Sequence, residues 1–131
     1  MKEIGIGVIG IGMGSNLLPI NEVKDSKLEV RALCSQTPEK VARLAARWDI
    51  GFHTTDYREL LTRDDIHVIA IYSPDHQHIE QARAALQAGK HVICTKPMVT
   101  STEDARELVR LVEQTGRKFL VGQTMRFDPE F

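Results

Sequence analysis

Short apolar strands alternating with amphipathic helices along all 131 residues predict an α/β fold, a doubly wound parallel sheet of about six strands in a single domain. Three observations carry that expectation. A glycine-rich turn follows the first strand, helix-ending glycines precede later strands, and Lys96-Pro97 stands at the carboxyl end of a short apolar strand.

An apolar strand in Ile4-Gly5-Ile6-Gly7-Val8-Ile9 runs into Gly10-Ile11-Gly12, and Asn16-Leu17-Leu18 opens a helix. Leu28–Cys34 is a second strand. Pro38 then sits at a helix start, where its missing N–H costs nothing. Val41, Leu44, Ala45 and Trp48 follow at i, i+3, i+4 and i+7, one buried face, with Gly51 suited to the C-terminal cap. Phe52-His53 is a very short strand, and a helix through Tyr57–Leu61 is capped by Thr55 or Asp56. His67–Tyr72 is a buried strand. Ile79, Ala82 and Leu86 mark a helix that Gly89 ends, and Val92-Ile93-Cys94 is the strand leading into Lys96-Pro97. Thr100 with Glu103 forms a capping box, Ala105, Leu108, Val109 and Val112 line the next helix as far as Gly116, and Phe119–Val121 is the last strand.

Bulk composition narrows the function classes. The chain is 42% hydrophobic and 27% charged, ordinary for a globular domain with its own core. A net charge of −1 without a Lys/Arg run argues against a nucleic-acid or membrane partner. No stretch reads as a transmembrane span or signal peptide. Cys34 and Cys94 end apolar strands without CxxC spacing, so reduced thiols and a cytoplasmic setting are expected. His76 and His78 lie two apart at a loop–helix junction, not at the i, i+4 spacing of a helical metal pair, and no metal site is expected.

The glycine turn carries chemistry. In a dinucleotide-binding fold the first glycine makes the tight turn, the second lets backbone approach a pyrophosphate, and the helix N-terminus offers N–H groups to the anion. Gly10 and Gly12 fill the first two positions. The third falls on Ser15, small enough for close helix–strand packing, with Gly14 beside it. The first strand, turn, helix and second strand fit within a βαβ unit of about thirty residues, which makes the fold Rossmann-type. Lys96 lies where ligands bind in such a sheet, and Pro97 holds its backbone extended.

Gly10-Ile-Gly12, Ser73-Pro74-Asp75-His76-Gln77-His78, Ala85-Leu86-Gln87-Ala88-Gly89-Lys90-His91-Val92, Lys96-Pro97 and Arg126-Phe127-Asp128-Pro129 together resemble the N-terminal half of the Gfo/Idh/MocA family of NAD(P)-dependent oxidoreductases. The resemblance spans essentially the whole chain. It implies a cofactor domain over residues 1–122. Residues 123–131 would begin the crossing into a C-terminal substrate domain that this chain does not contain. It further implies hydride transfer between the nicotinamide and a hydroxyl or carbonyl carbon of a sugar, inositol or diol.

Residue by residue, the resemblance places backbone N–H groups around Ile11–Met13 on the pyrophosphate. Ser73 and Pro74, with Asp75, flank the nicotinamide ribose, and His78 supports them from behind. Thr95, Lys96 and Pro97 border the reacting centre, with Gln123 and Thr124 approaching from the last strand. Lys96 is the catalytic candidate. It would hold the substrate oxygen and exchange its proton, burial beside a cationic nicotinamide favouring its neutral form.

Three departures from the family pattern stand out. Thr95 replaces the usual glutamate of Glu-Lys-Pro, and Asp75 replaces the usual asparagine after proline. The third is at the end of the second strand, where Cys34-Ser35-Gln36-Thr37 offers no acid for a ribose 2′-hydroxyl. Ser35, Gln36 and Thr37 can instead hydrogen-bond a 2′-phosphate, with Lys40 on the next helix, so tolerance of NADP or a preference for it over NAD is expected. An isolated cofactor domain is expected to bind dinucleotide with little turnover and to leave an apolar face uncovered, open to homo-oligomer formation. The alternatives are a non-catalytic dinucleotide-sensing module, or a Rossmann-type binder of nucleotide sugars or S-adenosylmethionine.

Overall fold

The computed structural model describes residues 2–130. Six strands form one parallel sheet in the order β3-β2-β1-β4-β5-β6: β1 Ile4–Ile9, β2 Leu28–Cys34, β3 Phe52–Thr54, β4 Val68–Ile71, β5 His91–Thr95 and β6 Phe119–Gly122. The α-helices are α1 Pro38–Arg47, α2 Arg58–Leu61, α3 His78–Gln87 and α4 Thr102–Thr115. After β3 the chain returns to the middle of the sheet and lays β4 against the other side of β1. This reversal opens a crevice beyond the carboxyl ends of β1 and β4, the position where doubly wound sheets bind ligands.

The strands read as near-continuous apolar runs because helices cover both sheet faces. Val8, Val30, Leu33 and Leu18 pack with Val41 and Ala45 of α1 on one face. Ile9, Cys34, Ile69, Ile71 and Val92 pack with Leu60, Leu86 and Leu108 on the other. Alternation along β1 sends Val8 to the first layer and Ile9 to the second.

Several boundaries depart from the sequence expectations, each for a local reason. The segment after the glycine turn is a 3-10 helix, Met13–Glu22, with Pro19 inside it. Proline removes one backbone donor and clashes with the preceding turn, which disfavours an α-helix through that position. Gly51 does not cap α1; Asp49 takes the left-handed conformation at φ +54°. Ile50 N–H then donates to Ala45 O at 2.8 Å and Asp49 N–H to Ala46 O at 3.3 Å, a Schellman pair closed by buried Ile50. Gly89, at φ +81°, ends α3 as expected, and Gly116, at φ +68°, ends α4.

The one-turn helix α2 is opened by Asp56, whose Oδ1 accepts from Arg58 N–H at 3.0 Å; Thr55 plays no part in that contact. Ser101, not Thr100, caps α4 and accepts from Asp104 N–H at 3.1 Å. The buried face of α4 is centred on Leu108 and Leu111, and Val109, expected on that face, is exposed. No helix among the described residues is long and apolar enough to cross a membrane.

Candidate functional site at the carboxyl edge of the sheet

Strand register aligns Cys34, Ile9, Ile71 and Cys94 in one row along the carboxyl edge, so the segments that leave these strands border one crevice. Gly10 leaves β1 at φ +91°, and a Cβ there would lie 2.6 Å from Tyr72 C and 2.8 Å from Ser73 N. The turn therefore passes directly against the segment following β4, and only glycine fits. Gly12 is the opposite case: a Cβ would meet nothing within 4 Å. Gly12 also lines the crevice, so a ligand there has room to approach the backbone between Ile11 and Met13.

Close packing between the turn and the sheet falls on Gly14, not on Ser15. A Cβ on buried Gly14 would stand 2.7 Å from Val8 Cγ1. Ser15 instead donates from Oγ to Gly12 O at 2.8 Å and so ties the turn closed.

Two hollows flank Gly12. The first, about 290 Å³, is lined by Ile9, Cys34, Ser35, Gln36, Thr55, Tyr57, Ser73, Pro74, Gln77 and Gln81, among others. The second lies on the α1 side and gathers Ser15, Ser35, Thr37, Lys40, Arg43 and Arg47. Ser35 lines both. Among the described residues, neither hollow has an acidic side chain in its lining, and no group of His, Cys, Asp and Glu could hold a metal ion.

Beyond β4, Ser73 is buried and donates from Oγ to Gln81 Oε1. His78 is fully buried. Its Nε2 contacts Ser73 O and its Nδ1 contacts Pro97 O, each at 2.8 Å. The imidazole thus links the loop after β4 to the loop after β5. Asp75 is exposed and begins the 3-10 turn Asp75–Gln77; it does not line either hollow.

At the end of β5, Thr95 is buried while the Lys96 side chain is exposed, so the burial expected around Lys96 is absent. The Lys96–Pro97 peptide is cis. Thr95 pairs in register with Gly122, which brings Gln123 and Thr124 out beside Lys96-Pro97, both with exposed side chains. The two thiols are free and buried, and burial pushes each up to about 12, with added repulsion from Asp56 and Glu59 on Cys34 and from Asp75 on Cys94. Neither is a nucleophile near neutral pH.

Sequence reasoning missed Arg43 and Arg47, which follow Lys40 at i+3 and i+7 and so share its helix face. The helical spacing that marks the apolar face of α1 also marks them on its polar face. Gln77 and Gln81 were also missed. Their signal is a pair of carboxamides at i, i+4 across the start of α3.

Comparison with known proteins agrees with this geometry. A family model described as "Oxidoreductase family, NAD-binding Rossmann fold" matches residues 4–123. Levoglucosan dehydrogenase of Pseudarthrobacter phenanthrenivorans is 31% identical over 98% of this chain and 35% of its own length. Inositol 2-dehydrogenase 1 of Mycolicibacterium vanbaalenii is 32% identical over 100% of this chain and 39% of its own. Among solved structures, scyllo-inositol dehydrogenase from Lactobacillus casei, with NAD(H) and scyllo-inositol bound, superposes with a TM-score of 0.88 at 28% identity, covering 98% of this chain and 38% of that one. The chain therefore spans well under half the length of these relatives. From the first residue of β1 to the residue after β6 it belongs to the Gfo/Idh/MocA oxidoreductase family and carries that family's NAD-binding Rossmann domain.

Proposed function

We propose that this chain is the cofactor-binding part of an oxidoreductase that moves a hydride between a nicotinamide dinucleotide and a hydroxyl or carbonyl carbon of a sugar, inositol or diol. The observation that carries this reading is the open face of Gly12 between two hollows at the sheet's topological switch point. The bound nicotinamide supplies the hydride acceptor or donor. Backbone N–H groups of Ile11–Met13 hold the pyrophosphate, with Gly10 and Ser15 fixing the turn. Ser35 and Gln36 hold the adenosine ribose. The loop Ser73-Pro74-Asp75 borders the nicotinamide ribose, with the Ser73 side chain turned away from it to Gln81, and His78 keeps the loop against Pro97.

Lys96, with Thr95 and Pro97 beside it, is the group that holds the substrate oxygen and exchanges its proton. Gln123 and Thr124 flank it from the end of β6. Residues 1–122 form the cofactor domain and 123–131 lead out of it. Its relatives' further length supports a substrate site built from more protein than this chain holds. The chain alone then binds cofactor with little turnover, and robust dehydrogenation by the purified 131 residues would overturn that part. Near-neutral charge fits a small-molecule partner, and exposed Leu120, Met125 and Phe127 favour association with further protein surface, a second copy included. Reduced buried thiols support a cytoplasmic setting.

NADP(H) is the favoured cofactor. No acid stands at the end of β2, and three cations border the hollow beside Ser35. A 2′-phosphate there meets Ser35, Thr37, Lys40, Arg43 and Arg47 in charge-assisted contacts. Paired titrations of the purified chain with NADPH and NADH, followed by nicotinamide fluorescence, test this. NADPH is expected to bind about tenfold more tightly or better at low salt, and replacing Arg43 and Arg47 by alanine removes most of that advantage. Tighter binding of NADH would reject the preference and keep the fold. Binding of neither by the folded chain would reject the dinucleotide site.

A further inference from the structure

Building on the dinucleotide-binding reading, we propose that the carboxamide of Gln77 reads the adenine edge of the cofactor, held in orientation by Gln81 and Ser73. Ser35 divides the two hollows at the end of β2, where the adenosine ribose sits in this kind of sheet. The 2′-oxygen and the base leave the ribose on opposite faces. With the 2′ position directed to the cationic hollow along α1, the base enters the other one.

That hollow has apolar and aromatic walls in Ile9, Cys34 and Tyr57, suited to a flat heterocycle, and one strongly polar wall. The polar wall is an ordered chain. Ser73 Oγ–H donates to Gln81 Oε1, and Gln81 Nε2 donates to Gln77 Oε1 at 3.3 Å. Gln81 is only 6% exposed, and burying a carboxamide is costly unless its groups are paired. Each donor in the chain fixes the direction of the next group. The Gln77 amide is therefore presented in a set orientation at the half-buried end, with no acceptor for its Nε2 among the described residues.

A carboxamide matches adenine because it accepts from the exocyclic N6–H while donating to a ring nitrogen. Gln77 Oε1 keeps a second lone pair for that N6–H, and Nε2 is free to donate. Hypoxanthine carries a carbonyl oxygen where adenine carries the amine, which would set oxygen against oxygen.

The test is affinity of the purified chain for NADPH against its hypoxanthine analogue, in the wild type and in Gln77→Leu. The wild type should favour the adenine form by about fivefold or more, the lower range of a carboxamide–adenine pair. Gln77→Leu should bring the two within about twofold, chiefly by weakening the adenine form. Gln77→Asn, which shortens the side chain while keeping its chemistry, provides a second variant and should also lose most of the preference. Equal affinity of the wild type for both cofactors overturns the proposal, as does a preference that survives in Gln77→Leu. Failure of the folded wild type to bind either cofactor instead overturns the dinucleotide reading beneath it.

Discussion

Two glycines two residues apart do different work, and substitution separates them. At Gly10 a methyl group would lie within 3 Å of the backbone leaving β4, at a φ of +91° that β-carbon-bearing residues rarely adopt. Gly10→Ala should cost roughly 3 kcal/mol of stability, strain and backbone displacement together, read from urea unfolding. Gly12 has φ −62° and open space where a Cβ would go. Gly12→Ala should unfold within about 1 kcal/mol of the wild type yet bind dinucleotide about tenfold more weakly, because the methyl group fills the space of approach. Equal losses of stability in both variants would mean that Gly12 is structural. The pattern Gly10-x-Gly12 was legible in the sequence, but the division of roles was not. Nor was Gly14's contact with Val8, because sequence spacing points to position 15 and the 3-10 geometry of the following helix moves the contact one residue earlier.

Among the elements, helix ends show most clearly where local chemistry leaves alternatives. Thr100-x-x-Glu103 and Ser101-x-x-Asp104 are both plausible N-terminal signals, one residue apart. The structure uses Ser101, whose Oγ accepts from Asp104 N–H, and Leu108 and Leu111 form the buried face further along. Ser101→Ala should cost about 1 kcal/mol while Thr100→Ala costs a few tenths, compared by urea midpoints. The reverse ranking would restore the expected box. The end of α1 was similarly open. Asp49 tolerates the left-handed position, and burying Ile50 just beyond it fixes the stop there, two residues ahead of Gly51.

For the whole molecule, the edge of the sheet opposite the cofactor crevice sets a pH limit. His91 Nδ1 accepts from Lys118 N–H at 3.0 Å, tying β5 to the start of β6. Burial lowers the His91 pKa from 6.5, and the charges of Arg117, Lys118 and His67 lower it further. The unfolded chain therefore binds this proton more readily than the folded one, so stability rises with pH across the window. The loss should begin as pH falls through about 6.5 and be complete below the depressed folded value. His91→Asn keeps an acceptor near Nδ1 without a titrating ring. Its melting temperature should fall less than that of the wild type between pH 7.5 and pH 5.5. Parallel profiles would place the acid sensitivity elsewhere.

The sequence by itself determined the alternation of strands and helices, the parallel sheet, the glycine turn and the position of Lys96 at a strand end. Each of these is written in local periodicity or in residues with a single conformational use. Tertiary structure alone decided which side chains share the crevice. Gln77 and Gln81 line one hollow with Ser35 and Tyr57 only because β4 lies beside β1 after the chain reverses. Arg43 and Arg47 line one hollow with Ser35 only because α1 packs over β2. Long-range neighbours come from how strands order themselves in the sheet, and that order depends on burying both sheet faces at once rather than on any short stretch of chain.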